Sequence, residues 1–301
     1  MTSPWDHPGF DLAPVATAIG PFASPEFLGV VDEHEDGEPL MAATPTAFIA
    51  LRWIGSEIRC SGDGELTDYH TPRGEEVGKV LAAVAEDHHP SRFMLDSLPE
   101  EAAKPLAAGL EQAGWAVESR VEEVAAVLDL PAIFDDYLGS IGKKERHEVR
   151  RKRRRYEGAL GDLRHETHRG AGWALDEFIR LHRLAGGAKG EFMTEDHKSL
   201  FTSLAGLDGW RFDLLRTDAG ASAIVFGWSD DTGYYLYNSA YDPSLSPTSP
   251  GVVLLGKMIE CAIEEGIEVF DFLKGDETYK FRLGARRRPL VTITATPRSS
   301  P

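Results

Sequence analysis

DFLKGDETYKFRLGA, Asp271 to Ala285, crowds Asp271, Lys274, Asp276, Glu277, Tyr279, Lys280 and Arg282 between two apolar runs. The residues leading into it, Glu268 to Leu273, read as a short buried strand carried by Val269, Phe270, Phe272 and Leu273. Behind it, Asp276 can cap a short helix that bears Tyr279, Lys280 and Arg282. Charged groups emitted at the carboxyl end of a buried strand lie where open α/β sheets meet their ligands. The stretch is therefore either a ligand-facing turn or a solvated strand-to-helix connection laced with ion pairs.

Working outward, three strand runs precede it: Trp210 to Arg216, Ala221 to Ser229 and Gly233 to Tyr241. In YYLYNSAY, strict alternation sends Tyr235, Tyr237, Ser239 and Tyr241 to one face, which is either aromatic core or a surface for an acyl or acceptor group. The loop Asp242 to Pro250 leads to a helix, Gly251 to Glu265, closed by Gly266 at a C′ position. Helices are expected at Trp173–Ala185 and at 194–205, the latter capped by Thr194, and a strand at Leu160–His168. After the opening stretch come a helix at Glu277–Leu283 and a strand at Pro289–Thr296.

The first half reads as strands Ala47–Trp53 and Ser56–Cys60 around a Gly55 turn. A helix at Arg73–Val84, a strand at Arg92–Leu98, a helix at Glu100–Ala113 and an extended run at Trp115–Leu130 follow. Asp68 and Tyr69 in LTDYHTPRG either face a cleft or form a turn capped by Asp68.

With 301 residues, 42% hydrophobic and 27% charged, the chain suits two globular units. No apolar run approaches the roughly 18 to 20 residues that span a bilayer, and MTSPWDHPGFDLAP has neither a basic nor an apolar targeting region, so a cytoplasmic protein without a membrane partner is expected. Cys60 and Cys261 are too few for a disulfide scaffold. His70, His88, His89 and His197 have no ligand spacing, so no metal site is expected. The absence of a GxSxG elbow and of a P-loop removes the common serine hydrolases and nucleotide kinases.

Charge is unevenly spread. Residues 1–140 hold 7 Lys and Arg against 26 Asp and Glu, whereas the remainder is close to neutral at +2. The exception to an acidic protein is KKERHEVRRKRRRYE, with nine basic and two acidic residues between Lys143 and Arg155. On a helix these charges leave only Ile141, Val149 and Tyr156 as apolar contacts. The segment is either a solvated linker helix or an anion-facing one, for coenzyme A, a nucleotide-linked sugar or an RNA end.

The FLKGDETYKFR stretch, the SPG of Ser249–Gly251 and the basic helix together resemble the CelD/BcsL-like acetyltransferases of the GNAT superfamily, which are similar in turn to the FemABX peptidyltransferases. The likeness runs from about Phe22 to Ala295, and the order β-α-α-β-β-β-α-β-α-β in the second half is that of a GNAT fold. The resemblance implies an α+β or α/β protein of tandem GNAT-like (acyl-CoA N-acyltransferase) domains, each with a mixed central sheet flanked by helices. The expected limits are a flexible tail at 1–21, a degenerate GNAT-like domain at 22–140, the basic helix at 141–160 and an acyltransferase domain at 161–301.

The implied chemistry is direct transfer of an acetyl or other acyl group from acyl-CoA to an amine or hydroxyl of a sugar or small metabolite. Asp271 or Asp276 would serve as base, Tyr279 as acid and Lys280 as the group polarising the carbonyl or holding a phosphate. Ser249, Pro250, Gly251 and Val252 would receive the coenzyme A pyrophosphate at a helix start. Tyr237, Tyr241, Lys274, Arg282, Asp68 and Tyr69 would contact substrate. The loop DPSLSPTSPGVVLL lacks the Arg/Gln-x-x-Gly-x-Gly/Ala signature of ordinary GNAT enzymes. Two alternatives stand beside this reading: an aminoacyl-tRNA-dependent peptidyltransferase whose basic helix holds the tRNA acceptor end, and an idle GNAT scaffold in an exopolysaccharide pathway.

Overall fold

A computed structural model describes residues 4–62 and 64–298, apart from the side chains at 188 and 189. The chain divides into two compact units, residues 1–125 with 288–301, and residues 126–287. The first contains α1 (Pro25–Val31), β1 (Glu38–Thr44), β2 (Ala47–Ile54), β3 (Glu57–Cys60), β4 (Arg73–Gly74), α2 (Val77–His88), β5 (Arg92–Pro99), α3 (Glu100–Gln112) and most of β6 (Trp115–Asp129). The second contains α4 (Phe134–Ser140), α5 (Lys143–Leu160), β7 (Arg164–His168), α6 (Trp173–Ala185), α7 (Gly187–Phe192), α8 (Glu195–Ala205), β8 (Trp210–Thr217), β9 (Gly220–Ser229), β10 (Gly233–Tyr241), α9 (Pro250–Glu264), β11 (Val269–Lys274) and α10 (Thr278–Arg282). From Arg288 onward β12 (Arg286–Pro297) belongs to the first unit, where it pairs antiparallel with β5.

In the first unit β1, β2 and β3 form an antiparallel meander, the second turn falling at Gly55 as its sequence requires. β3 then pairs parallel with β5, and α2 supplies the crossover that a parallel pair needs. Leu51, Ile58, Leu81, Phe93, Leu95, Leu106 and Ile293 make the core. Helices α2 and α3 approach so closely that a Cβ on Gly109 would lie 2.0 Å from the Gly78 carbonyl oxygen. Residues 4–21, expected to be loose, bury Trp5, Ala16 and Ile19 and tie the Val15 N–H to the Pro72 carbonyl. Strand β1 and helix α1 went unread in the sequence. The helix expected from Arg73 begins at Val77, because Arg73 and Gly74 pair with Phe48 and Ala47.

The second unit repeats the plan: β7, β8, β9 and β10 run antiparallel, and α9 crosses over so that β11 pairs parallel with β10. The buried stripe of α9, including Leu254, Met258, Ile259 and Ala262, packs into the core with Tyr234, Leu236 and Phe270. The strand expected from Leu160 starts at Arg164, since α5 continues to Leu160 and ends at Gly161 with φ 86°. A mixed sheet flanked by helices is thus the architecture of each unit.

The second unit also buries a polar network. Asp213 is almost fully enclosed; it accepts hydrogen bonds from Thr167 Oγ1 at 2.8 Å, Arg211 Nε at 3.0 Å and the Tyr234 hydroxyl at 2.9 Å, and its Oδ1 lies 3.2 Å from His165 Nε2. Burial opposes the charge on Asp213, but the His165, Arg211 and Thr167 contacts overcome it and hold the carboxyl below its ordinary value. Burial likewise disfavours His165 charging, yet the Asp213 bond and the Cys261 contact outweigh it and raise its pKa to about 9.

Two predictions follow from this packing. Gly109→Ala should destabilise by about 2 to 4 kcal/mol in urea unfolding, because the new methyl meets backbone rather than a yielding side chain. Gly158→Ala, on the open face of α5, should instead stabilise by about 0.5 to 1 kcal/mol. A histidine whose folded pKa is raised contributes stability that is complete below its unfolded pKa of about 6.5 and is lost as pH rises through about 9. The urea midpoint of the wild type should therefore fall across that window by the equivalent of on the order of 2 kcal/mol, and His165→Gln should flatten the decline.

Candidate active site

β10 and β11 pair only from Gly233–Tyr235 to Val269–Asp271. Beyond Tyr235, β10 stays with β9 and leaves β11, so the sheet opens at the carboxyl ends of two parallel strands. A cavity of about 370 Å³ occupies this region. Its walls are Ala223–Val225 of β9, Ser239–Tyr241 of β10, Ser249–Val252 at the start of α9, and Glu277 and Tyr279. A smaller cavity of about 90 Å³ shares Val252 and Tyr279 and adds Lys144, Glu148 and Lys152 from α5 and Arg282 from α10.

A β-bulge between Leu236 and Asn238 decides which side chains reach the opening. One extra residue reverses the alternation of the strand. Tyr234 and Leu236 face α9 before the bulge, and Ser239 and Tyr241 line the cavity after it. Tyr237 instead joins the aromatic cluster of Phe201, Trp210 and Phe226. The expectation that Tyr237 and Tyr241 share a face is corrected by this one inserted residue.

The α9 N-terminus is built for an acceptor. Ser249 sits in the left-handed region at φ 55° and makes no side-chain cap bond; Pro250 brings no N–H, and the Gly251 and Val252 N–H groups have no intrahelical acceptor. These donors and the positive end of the helix dipole border the cavity. Nearby, burial, and to a lesser degree the Arg151 and Arg282 charges, push the Lys152 ammonium below its ordinary pKa against the pull of Glu148. Arg282 is exposed and makes no hydrogen bond or ion pair among the described residues.

The opening stretch splits into residues that hold the turn and residues that face the cavity. Asp271 is fully buried, and its Oδ1 accepts from Leu273 N at 2.8 Å. Leu273 lies at φ 58°, a conformation costing a non-glycine residue about 1 to 3 kcal/mol, and the Asp271 bond fastens it there. Lys280, 3% exposed, donates to the carbonyls of Leu273, Lys274 and Gly275 and pairs with Glu277 at 2.9 Å. A Cβ on Gly275, at φ 111°, would collide with this pair. Asp276 is exposed, and Glu277 rather than Asp276 occupies the helix-cap position.

Tyr279 touches both cavities. Burial first, and Glu277 second, raise its pKa to about 12, so its phenol keeps its proton near neutrality. Lys274 is half-buried at the strand end, and Tyr241 is exposed at the cavity mouth. Asp68 and Tyr69 belong to the first unit, where the buried Tyr69 ring meets Phe22 edge-on and lies under the Arg288 guanidinium. Of the cavity-lining charges, Glu277 was given no role in the sequence reading. Its signal was its place one turn ahead of Lys280, on the side of Tyr279.

Among the described residues no helix is long and apolar enough to cross a membrane. Residues 143–281 match the family described as an acetyltransferase (GNAT) domain. A conserved protein of unknown function from Bacteroides thetaiotaomicron VPI-5482 superposes with a TM-score of 0.65 at 12% identity over 90% of each chain. FemX superposes at 0.62 and 10% identity over 96% of this chain and 93% of its own, and L-PGS from Bacillus licheniformis at 0.59 and 15% over 95% of each. At these identities the likeness is one of fold. No curated protein matches the chain in sequence. The chain has a GNAT-like fold, and residues 143–281, which span the basic helix, the split strands and the Tyr279 turn, are the part that matches the GNAT acetyltransferase domain family.

Proposed function

We propose that the second unit transfers an acyl group from acyl-CoA to an amine of a small acceptor. The observation that carries this reading is the opening between β10 and β11, bordered at once by the uncapped start of α9 and by the protonated phenol of Tyr279. The N–H groups of Gly251 and Val252 would take the pyrophosphate, and Lys152 and Arg282 a further phosphate. The edge of β10 beyond Tyr235 has no β11 partner and offers backbone groups to an extended acyl arm.

In the reaction the acceptor nitrogen attacks the thioester carbonyl, the carbon–sulfur bond breaks, and the amide forms. The amine must lose a proton and the departing sulfur must gain one. Glu277 is the carboxylate at the cavity wall and is proposed as the base, directly or through water; Tyr279 is proposed as the donor to sulfur. Asp271 and Lys280 then serve by holding the turn, and Asp276 lies outside the wall.

One further observation favours an aminoacyl-tRNA donor as the second reading. On α5, Lys143, His147, Arg150 and Arg154 are exposed and make no hydrogen bond or ion pair among the described residues. Their spacing of four, three and four residues aligns them as one stripe about 16 Å long. Arg146, Arg151, Arg153 and Arg155 are by contrast engaged with Leu138, Glu148, Glu157 and Pro247.

Calorimetric titration should give a micromolar Kd for acetyl-CoA, raised about five- to tenfold by Lys152→Ala or Arg282→Ala, the scale of a lost, partly exposed charge-assisted bond. Arg150→Ala with Arg154→Ala should leave that Kd unchanged. No heat with acetyl-CoA, together with RNA binding that weakens steeply with salt and is lost in the Arg150/Arg154 variant, would replace the first reading by the second. Once an acceptor is found, Tyr279→Phe should lower kcat by about 10²-fold with little change in KM.

A further inference from the structure

The buried network around Asp213 ends at a thiol that the acyl-transfer reading does not use. Cys261 is half-buried on the fourth turn of α9, and its Sγ lies 3.8 Å from His165 Nδ1. The opposite ring nitrogen, Nε2, lies 3.2 Å from Asp213 Oδ1. Asp213 cannot turn away, because Thr167, Arg211 and Tyr234 hold it from three other directions. The Asp213 carboxylate thus faces Nε2 at ion-pair distance without hydrogen-bond geometry, and the opposite nitrogen, Nδ1, faces the sulfur. His165 itself is only 13% exposed and sits on β7.

We propose that Cys261 is a modification site that forms a mixed disulfide with a low-molecular-weight disulfide, oriented and assisted by His165 and Asp213. Reactive thiols occupy partly exposed, electropositive surroundings, whereas enclosed ones are inert. Cys261 meets both conditions. His165, whose pKa is about 9, is a cation at neutral pH and lies beside the sulfur. The acidic groups nearby are engaged elsewhere: Glu260 with Lys257 at 2.9 Å and Glu265 with Arg211 at 3.1 Å, leaving Glu264 exposed at the helix end.

The step balances without a further reactant. The thiol releases its proton to water while the imidazolium, its charge favoured by the nearby Asp213 carboxylate, places Nδ1–H beside the sulfur as negative charge develops there. The sulfur attacks one sulfur of the disulfide, one S–S bond forms as another breaks, and the departing thiolate takes a proton from water. Cys261 is oxidised and the incoming disulfide reduced by the same two electrons. Cys60 is the internal comparison: it is buried in the first unit, and desolvation, with Asp96 adding to it, pushes its thiol well above the ordinary pKa.

The test is reaction of the native chain at pH 7 with 5,5′-dithiobis(2-nitrobenzoate), followed by absorbance and by peptide mapping. One thiol per chain should react, and it should map to Cys261, with Cys60 reacting only after denaturation. His165→Gln, checked for an intact fold by circular dichroism, should slow the reaction at least about tenfold, as expected where one cationic partner is removed. A native chain with no reactive thiol, or one that reacts at Cys60, overturns the proposal. So does a folded His165→Gln chain that reacts as fast as the wild type. The mapping needs only the wild-type protein, so it decides the site even where the variant does not fold.

Discussion

The second unit depends on a parallel pair that stops early. β10 and β11 share three residue pairs and then diverge. Every other feature of the site follows from that divergence. Two strands whose carboxyl ends separate leave backbone groups that would be costly to bury unpaired, so the gap must be lined by donors and acceptors or filled by a ligand. α9 begins at the gap with its own unpaired N–H groups, which turns a local defect of the sheet into a concave polar surface. The bulge at Leu236–Asn238 belongs to the same device. It lets β10 remain with β9 while aiming Ser239 and Tyr241 at the opening and Tyr237 at the aromatic core.

The turn after β11 shows how a dense set of charged residues divides its labour. Leu273 is forced into the left-handed region while its side chain stays in the core, and Asp271 accepts the hydrogen bond that secures it there. Lys280 then gathers three successive carbonyls and Glu277. Burying an ammonium is tolerable only when its hydrogens are so engaged. The result is that Tyr279, the neighbour of Lys280 in sequence, is held with little freedom between the two cavities. Rigid support under a single half-buried phenol is what proton donation at a fixed point requires.

This division explains what the sequence could and could not disclose. The apolar runs of β8, β9, β10 and β11, the α9 stripe and the Gly266 stop were legible because periodicity and turn chemistry report directly on burial. Their order agrees with the fold class that the family resemblance implied. The bulge was not legible: YYLYNSAY alternates without interruption, and only the register against β9 reveals the extra residue. β1 was missed because EPLMAAT carries a proline and two small residues and is only partly buried. Within DFLKGDETYKFR, residue type announced chemistry at seven positions, but whether a charge closes a loop or faces a cavity depends on contacts five to seven residues away, as for Lys280. Composition cannot encode that choice.

The basic helix makes the same point through charge. Nine cations within Lys143–Arg155 look uniform in sequence, yet the structure sorts them by helical angle. Those turned toward the body of the unit are spent on carboxylates and carbonyls, whereas Lys144 and Lys152 border the small cavity and the Lys143–Arg154 stripe faces outward. Like charges at i, i+4 repel by tenths of a kcal/mol per pair. A helix carrying such a stripe forgoes that stability unless an anion relieves it. The Lys143, His147, Arg150 and Arg154 stripe is therefore left without a hydrogen-bond or ion-pair partner among the described residues, on a face of α5 separate from the one where Lys144, Glu148 and Lys152 border the small cavity.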